Sequence, residues 1–205
     1  MGLYGDRILP RCINVLCGNK VAREQRARVC EGLAGEVVEI GFGSGHNVPF
    51  YPREVTGVAA VEPADVAWEL AEKRVRATTT PVRRAGLDGQ ALPFGEDSFD
   101  AALSTWTMCT IPDLQAALAE LRRVLKPGGE LHFVEHGLAP DGKVQHWQHR
   151  LDPLQQRVFG GCHLDRPIVD SIRAAGFEVR EVDEYYERGS PKVLGASSLG
   201  VAVSP

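Results

Sequence analysis

Residues 36–47 read EVVEIGFGSGHN, and no other stretch limits the fold as tightly. A run of strand-forming residues is followed by Gly41, Gly43 and Gly45 on alternate positions. In a parallel α/β sheet, ligands sit outside the carboxyl ends of the strands where chain order reverses, and the exit of the first strand is such a place. Glycines there permit a tight turn and let a ligand approach the backbone, while a helix starting after the loop presents free amides. The plain alternative is a glycine turn that only packs a helix on a strand.

From about residue 36 onward, apolar runs alternate with helical patterns, which predicts βαβ units and a mostly parallel sheet. Strands are expected near 36–40, 56–61, 82–85, 99–104 and 130–135, and helices over 64–76 and 166–175. The clearest helix starts at Asp113, a good N-cap, and carries Leu114, Ala117, Leu118, Leu121, Val124 and Leu125 at helical spacing. KPGG at 126–129 should end it, since Pro127 lacks an amide donor and the glycines permit a positive φ. FEVREVDEYYE and KVLGASSLGVAVS, joined through Gly189, Ser190 and Pro191, read as a terminal β-hairpin. Ahead of residue 36 lies an amphipathic arm with Tyr4, Ile8, Leu9, Ile13, Val15 and Leu16.

A chain of 205 residues is expected to form one domain, with 1–35 as the arm and 36–205 as the core. The net charge of −4 offers no field for a phosphate backbone, so nucleic acid is not expected as a partner. With no apolar run of membrane-spanning length and no signal-peptide pattern, the expected location is the cytoplasm. Cysteines at 12, 17, 30, 109 and 162 include no CxxC pair, and His146 and His149 have no clear further ligands, so no metal is expected.

The loop spacing separates cofactor classes. A dinucleotide fold wants a third glycine where this chain has His46, and a Walker loop wants a GK followed by Ser or Thr that is missing. Glu39, inside the first strand, would be costly facing inward unless a positive or hydrogen-bonding group met it. Glu62 ends the second strand, where a carboxylate accepts both hydroxyls of a ribose. A nucleoside without pyrophosphate but with a positive group suits this pair.

EIGFGSG, VEP at 61–63, DGQALPFGEDSFDAALS at 88–104 and LRRVLKPGGELHFVEH together resemble the class I S-adenosylmethionine-dependent methyltransferases. The resemblance implies a Rossmann-like three-layer sandwich with a seven-stranded, mostly parallel sheet and an antiparallel C-terminal hairpin. It implies S-adenosylmethionine as cofactor and S-adenosylhomocysteine as product. Glu39, Gly41, Phe42, Gly43 and Gly45 would line the methionine and ribose side, Glu62 and Pro63 the ribose, Leu87, Asp88 and Gln90 the adenine, with Ser104 beneath. Within the class, GSGHNVPFYP, TMCTIPD, FVEH and LDPLQQRVFGGCHLDR resemble the alkyl thiol methyltransferase (methyltransferase-like seven) group, while WTMCTI departs from its usual wording.

Methyl transfer from a sulfonium is an in-line displacement that needs alignment and water exclusion more than acid or base. The small-molecule acceptor is expected beyond the fourth and fifth strands, at Ser104, Thr105, Trp106, Thr107, Cys109, Glu135 and His136. Trp106 would face the sulfonium or an apolar acceptor, or simply pack. His136 or His163 would take a proton from a thiol or hydroxyl, or serve structure alone. Thiol, quinone, phenol and phospholipid-amine acceptors all fit, as does a non-catalytic binding module; an NAD-dependent oxidoreductase fits less well because of His46. Monomer and homodimer both fit. The arm would either complete the core or fold over the cofactor as a lid, with Tyr4, Asp6 and Arg7 facing the site and an apolar face able to touch a membrane when open; the resemblance favours the lid.

Overall fold

The computed structural model describes residues 7–205; Tyr4 and Asp6 lie outside them. Five parallel strands come first: β1 (Gly35–Ile40), β2 (Val55–Val61), β3 (Val82–Gly86), β4 (Phe99–Thr105) and β5 (Leu125–His136). β6 (Glu178–Tyr186) and β7 (Ala196–Val203) close the sheet as the expected antiparallel hairpin, in the order β3-β2-β1-β4-β5-β7-β6. Chain order reverses between β1 and β4, so their carboxyl ends form the switch point where a ligand belongs.

Helices cover both faces: α1 (Leu9–Leu16), α2 (Lys20–Cys30), α3 (Asp65–Ala77), α4 (Leu114–Val124), α5 (Gly142–Val158), α6 (Ile168–Ala174) and the single turn α7 (Lys192–Gly195). The period of two along the strands divides the core. Val38, Ile40, Ala102 and Phe133 face α4 and α6, whereas Val37, Leu103 and Val134 face Val29, Cys30 and Leu33 at the end of α2. α4 starts as expected, with the Asp113 side chain accepting from the Ala116 amide at 3.0 Å. None of the described helices is long and apolar enough to cross a membrane.

Three local expectations need correction. No α-helix follows the glycine loop: Val48–Phe50 is a short 3₁₀ turn, because Pro49 and Pro52 break the nine residues left before β2. KPGG does not cap α4, which leaves its last turn through an extended Leu125. Leu125 instead pairs with Phe99 and Glu130 with Ala101, so KPGG bulges out, with Gly128 at φ +78° and its amide on the Ser204 carbonyl. KVLG is helical rather than extended, and β7 begins after it.

The arm lies against the glycine loop. His46 Nε2 is 2.9 Å from the Asn14 carbonyl oxygen, and burial lowers the imidazole pKa to about 4, so a neutral ring donates there. Leu9 packs so closely on Gly160 that a Cβ at Gly160 would stand 2.7 Å from its Cδ2. The residue that breaks the dinucleotide pattern therefore ties α1 over the carboxyl ends of the strands.

Candidate functional site

The glycines of the first loop serve different ends. A Cβ on Gly41 would collide with Thr107, which brings the β4 exit against the β1 exit. Among the described residues, Gly43, at φ +57°, has only the Gly41 carbonyl, 3.8 Å from where its Cβ would be, which leaves room beside the loop. Gly45 packs toward Ala71 of α3, and buried Phe42 meets the Trp68 ring at 5.4 Å between centroids. Glu62 closes this side: its two oxygens accept from the Gly43 and Ala64 amides, each at 2.7 Å. Burial raises its pKa, and these two amides pull the other way. A carboxylate offers about four acceptor positions, so two remain for a ligand.

Glu39 is buried in β1, and the groups that meet it are residues that sequence reasoning missed. Asn47 Nδ2 donates to it at 2.9 Å and the Tyr51 hydroxyl at 2.5 Å. Buried Arg26 of α2 donates in turn to Asn47 Oδ1 at 2.6 Å and Thr105 Oγ1 at 2.9 Å. This network joins arm, loop and β4 exit around the Glu39 carboxylate, which is 1% exposed. Burial raises the Glu39 pKa from 4.5 to about 7 despite the Tyr51 and Asn47 bonds and the Arg26 charge.

The sign follows from linkage. A carboxyl group with a raised folded-state pKa contributes stability that is complete below the unfolded value and lost as pH climbs to the folded one. Between pH 4.5 and 7, two and a half units at 1.36 kcal/mol each give about 3 kcal/mol. Glu39→Gln should remove that decline, so urea titrations of both proteins at pH 5 and pH 8 should show a difference that changes by about this amount. Parallel pH curves would sink the assignment.

On the third side, Asp88 Oδ1 accepts from the Gln90 amide at 2.8 Å and Gln90 Nε2 at 3.0 Å, while Gln90 Oε1 accepts from the Asp113 amide. The Asp88 pKa is lowered by these Gln90 bonds. Leu87 and Pro63 are exposed nearby in sequence, apolar edges at the ends of β3 and β2.

At the β4 and β5 exits, Glu135 is fully buried and turned onto the loop 104–109. Its Oε1 accepts from Ser104 Oγ (2.8 Å), the Thr107 amide (2.9 Å) and the Met108 amide (3.0 Å), and its Oε2 from the Cys109 amide (3.4 Å). Burial raises its pKa against those bonds. Glu135 and Ser104 thus support the loop from within. Trp106 holds a positive φ of 51°, and the Arg26 guanidinium sits 4.8 Å over its ring centre, so a cation of the protein itself occupies one face.

His136 and His163 have different partners. His136 Nε2 is 2.9 Å from Cys162 Sγ, which lies 3.6 Å from Cys109 Sγ. Burial opposes charge on His136, yet Cys162, Glu135 and Glu187 raise its pKa on balance. His163 Nδ1 is 3.2 Å from Asp152 Oδ2 of α5, and its amide donates to the Cys109 carbonyl. Sequence reasoning missed Asp152 because α5 was not anticipated, and Pro153 inside that helix masked it.

Among the clefts away from the glycine loop, one is lined by Glu96, Arg122 and Pro127 and another by Gly32, Asp100 and Gly128, both at the amino ends of the strands.

A family model described as a methyltransferase domain matches residues 38–133. Thiol S-methyltransferase TMT1B of Homo sapiens is 32% identical over 184 residues, covering 84% of this chain and 72% of the relative. The chain belongs to the class I S-adenosylmethionine-dependent methyltransferases. The rat TMT1B is also 32% identical, over 72% of this chain, and the chain spans 62% of that relative's length. A putative methyltransferase from Bacillus halodurans superposes with a TM-score of 0.74 at 16% identity, over 89% of this chain and 98% of that one. Family members use S-adenosylmethionine, and the site suits it in two respects: Gly43 leaves space where a Cβ would stand, and Glu62 keeps unused acceptor positions at the end of β2.

Proposed function

We propose that this protein transfers a methyl group from S-adenosylmethionine to the sulfur of a small lipophilic thiol. The observation that carries the reading is the Glu62 carboxylate, fixed by the Gly43 and Ala64 amides with acceptor positions to spare. Gly41, Gly43 and Gly45 would hold the amino acid tail, Glu62 the ribose hydroxyls, and Leu87, Asp88 and Gln90 the adenine. Glu39 acts behind them, keeping Asn47 and Tyr51 in place. The thiol preference is supported by relatives named as thiol S-methyltransferases.

When bound, the sulfonium supplies an electrophilic methyl group. The acceptor sulfur forms a bond to the methyl carbon as the carbon–sulfonium bond breaks, leaving S-adenosylhomocysteine. Little activation is needed, because a thiol with a pKa near 8.5 is partly ionised at neutral pH. His163, held by Asp152, would take the proton. The loop 104–109, fixed by Glu135, sets where the acceptor lies, and α1 covers the strand ends and limits water. In this reading the chain acts as one catalytic unit, with α1 as its lid and a small molecule as its partner.

Thermal unfolding with S-adenosylhomocysteine at a hundredfold excess over Kd should raise the midpoint by roughly 5–10 °C, from about 2.7 kcal/mol of mass action. A set of alkyl thiols, phenols, quinones and amines should then give transfer to the thiols. Stabilisation by NAD but not by S-adenosylhomocysteine would overturn the cofactor assignment; transfer to oxygen or nitrogen acceptors alone would overturn the thiol assignment.

A further inference from the structure

Cys109, His136 and Cys162 are far apart in sequence and come from three segments: the β4 exit, the last residue of β5 and the loop after α5. Cys109 Sγ, His136 Nε2 and Cys162 Sγ all lie within 4.8 Å of one another. We propose that these three side chains bind one zinc ion.

Ligand distances favour this over a chance meeting. Thiolates at about 2.3 Å and an imidazole at about 2.0 Å around a tetrahedral ion stand roughly 3.5–3.8 Å apart. The two sulfurs are already 3.6 Å apart, and the Cys162–His136 separation of 2.9 Å needs to open by about 0.6 Å. Charge agrees as well: two thiolates and a divalent cation sum to zero, the condition for a buried site of this kind.

The groups around the three side chains point the same way. Among the described residues, His136 Nδ1 is buried with no hydrogen-bond partner, and so is Glu187 Oε1. Glu187 is near enough to act electrostatically on His136, and His136 on Glu187. A zinc-bound histidine characteristically donates its other ring nitrogen to a carboxylate. Metal on Nε2 fixes the tautomer that protonates Nδ1, the donor that the Glu187 carboxylate would accept from. A redox-active disulfide between Cys109 and Cys162 is the rival use of the same sulfurs, but it gives no role to the converging imidazole or to the Glu187 carboxylate. Three protein ligands leave a fourth position of the tetrahedron for water or an added ligand.

The test is metal binding by the full chain, without S-adenosylmethionine, so that its outcome is separate from that of the transferase reading. After reduction, zinc loading and dialysis, elemental analysis should find one zinc per chain. Cobalt(II) titration of the wild type should give the near-ultraviolet band of thiolate-to-cobalt charge transfer. Cys109→Ser and Cys162→Ser should each weaken zinc binding by roughly a hundredfold or more, and Glu187→Gln by about tenfold, whereas Cys12→Ser should leave it unchanged. The wild-type cobalt spectrum keeps the test decisive if a variant fails to fold. Reduced protein that retains no zinc, a cobalt complex without the thiolate band, or wild-type affinity in the two serine variants would overturn the proposal.

Discussion

Glu62→Ala should weaken binding of S-adenosylhomocysteine by at least about a hundredfold, measured by calorimetry on protein whose circular dichroism is native. The lost interactions are two hydroxyl-to-carboxylate hydrogen bonds at a mostly buried site, each worth about 1.5–3 kcal/mol when the acceptor is charged. The substitution also frees the Gly43 amide, which Glu62 holds at 2.7 Å, so the loop loses its anchor together with the ligand. Glu62→Gln separates charge from shape. One end of its amide would present hydrogens to a backbone N–H of Gly43 or Ala64, and we expect most of the loss to remain. Affinity within about threefold of wild type for the folded Ala variant would remove the ribose role and with it the cofactor placement.

The second large effect concerns the fold beneath the acceptor. Glu135→Ala strands the amides of Thr107, Met108 and Cys109 and the Ser104 hydroxyl in a fully buried place. Leaving buried donors unsatisfied costs about 1–3 kcal/mol each, and loss of one member of such a network costs about 3–5 kcal/mol in total. For a chain of this size the melting midpoint should fall by roughly 10–15 °C. Glu135→Gln keeps an acceptor where Oε1 takes three of the four bonds, so it should cost far less. Equal midpoints for the two variants, or a loss below about 1 kcal/mol for the Ala variant, would show that the carboxylate does not hold the loop.

Both results turn on carboxylates that look alike in sequence. Glu39, Glu62 and Glu135 each stand in or at the end of a central strand, and their neighbours do not reveal which ones face ligand. Glu62 has a position with a known geometric consequence, the end of β2 beside the glycine loop, so its place was legible. Glu39 and Glu135 are answered by groups eight to thirty-one residues away, and those partners depend on how the loops fold over the strand ends. Arg26 is the clearest case. On α2 it reads as a solvated charge, yet it is 5% exposed and joins Asn47, Thr105 and the Trp106 ring. α5 escaped notice because Pro153 interrupts it and because Trp147, Leu151, Leu154 and Val158 leave a stripe of apolar side chains in the open.

The sequence by itself determined the strands β1 to β5, the helix that starts at Asp113, the hairpin at the end and the family. Period-two and period-3.6 patterns are local, and the glycine loop carries its meaning within seven residues. Only the tertiary structure decided which carboxylates point inward, which cation covers Trp106, and that Cys109, His136 and Cys162 meet. A parallel sheet gathers the ends of strands that are distant in sequence, so contacts at those ends are set by crossover geometry, and no spacing along the chain encodes them.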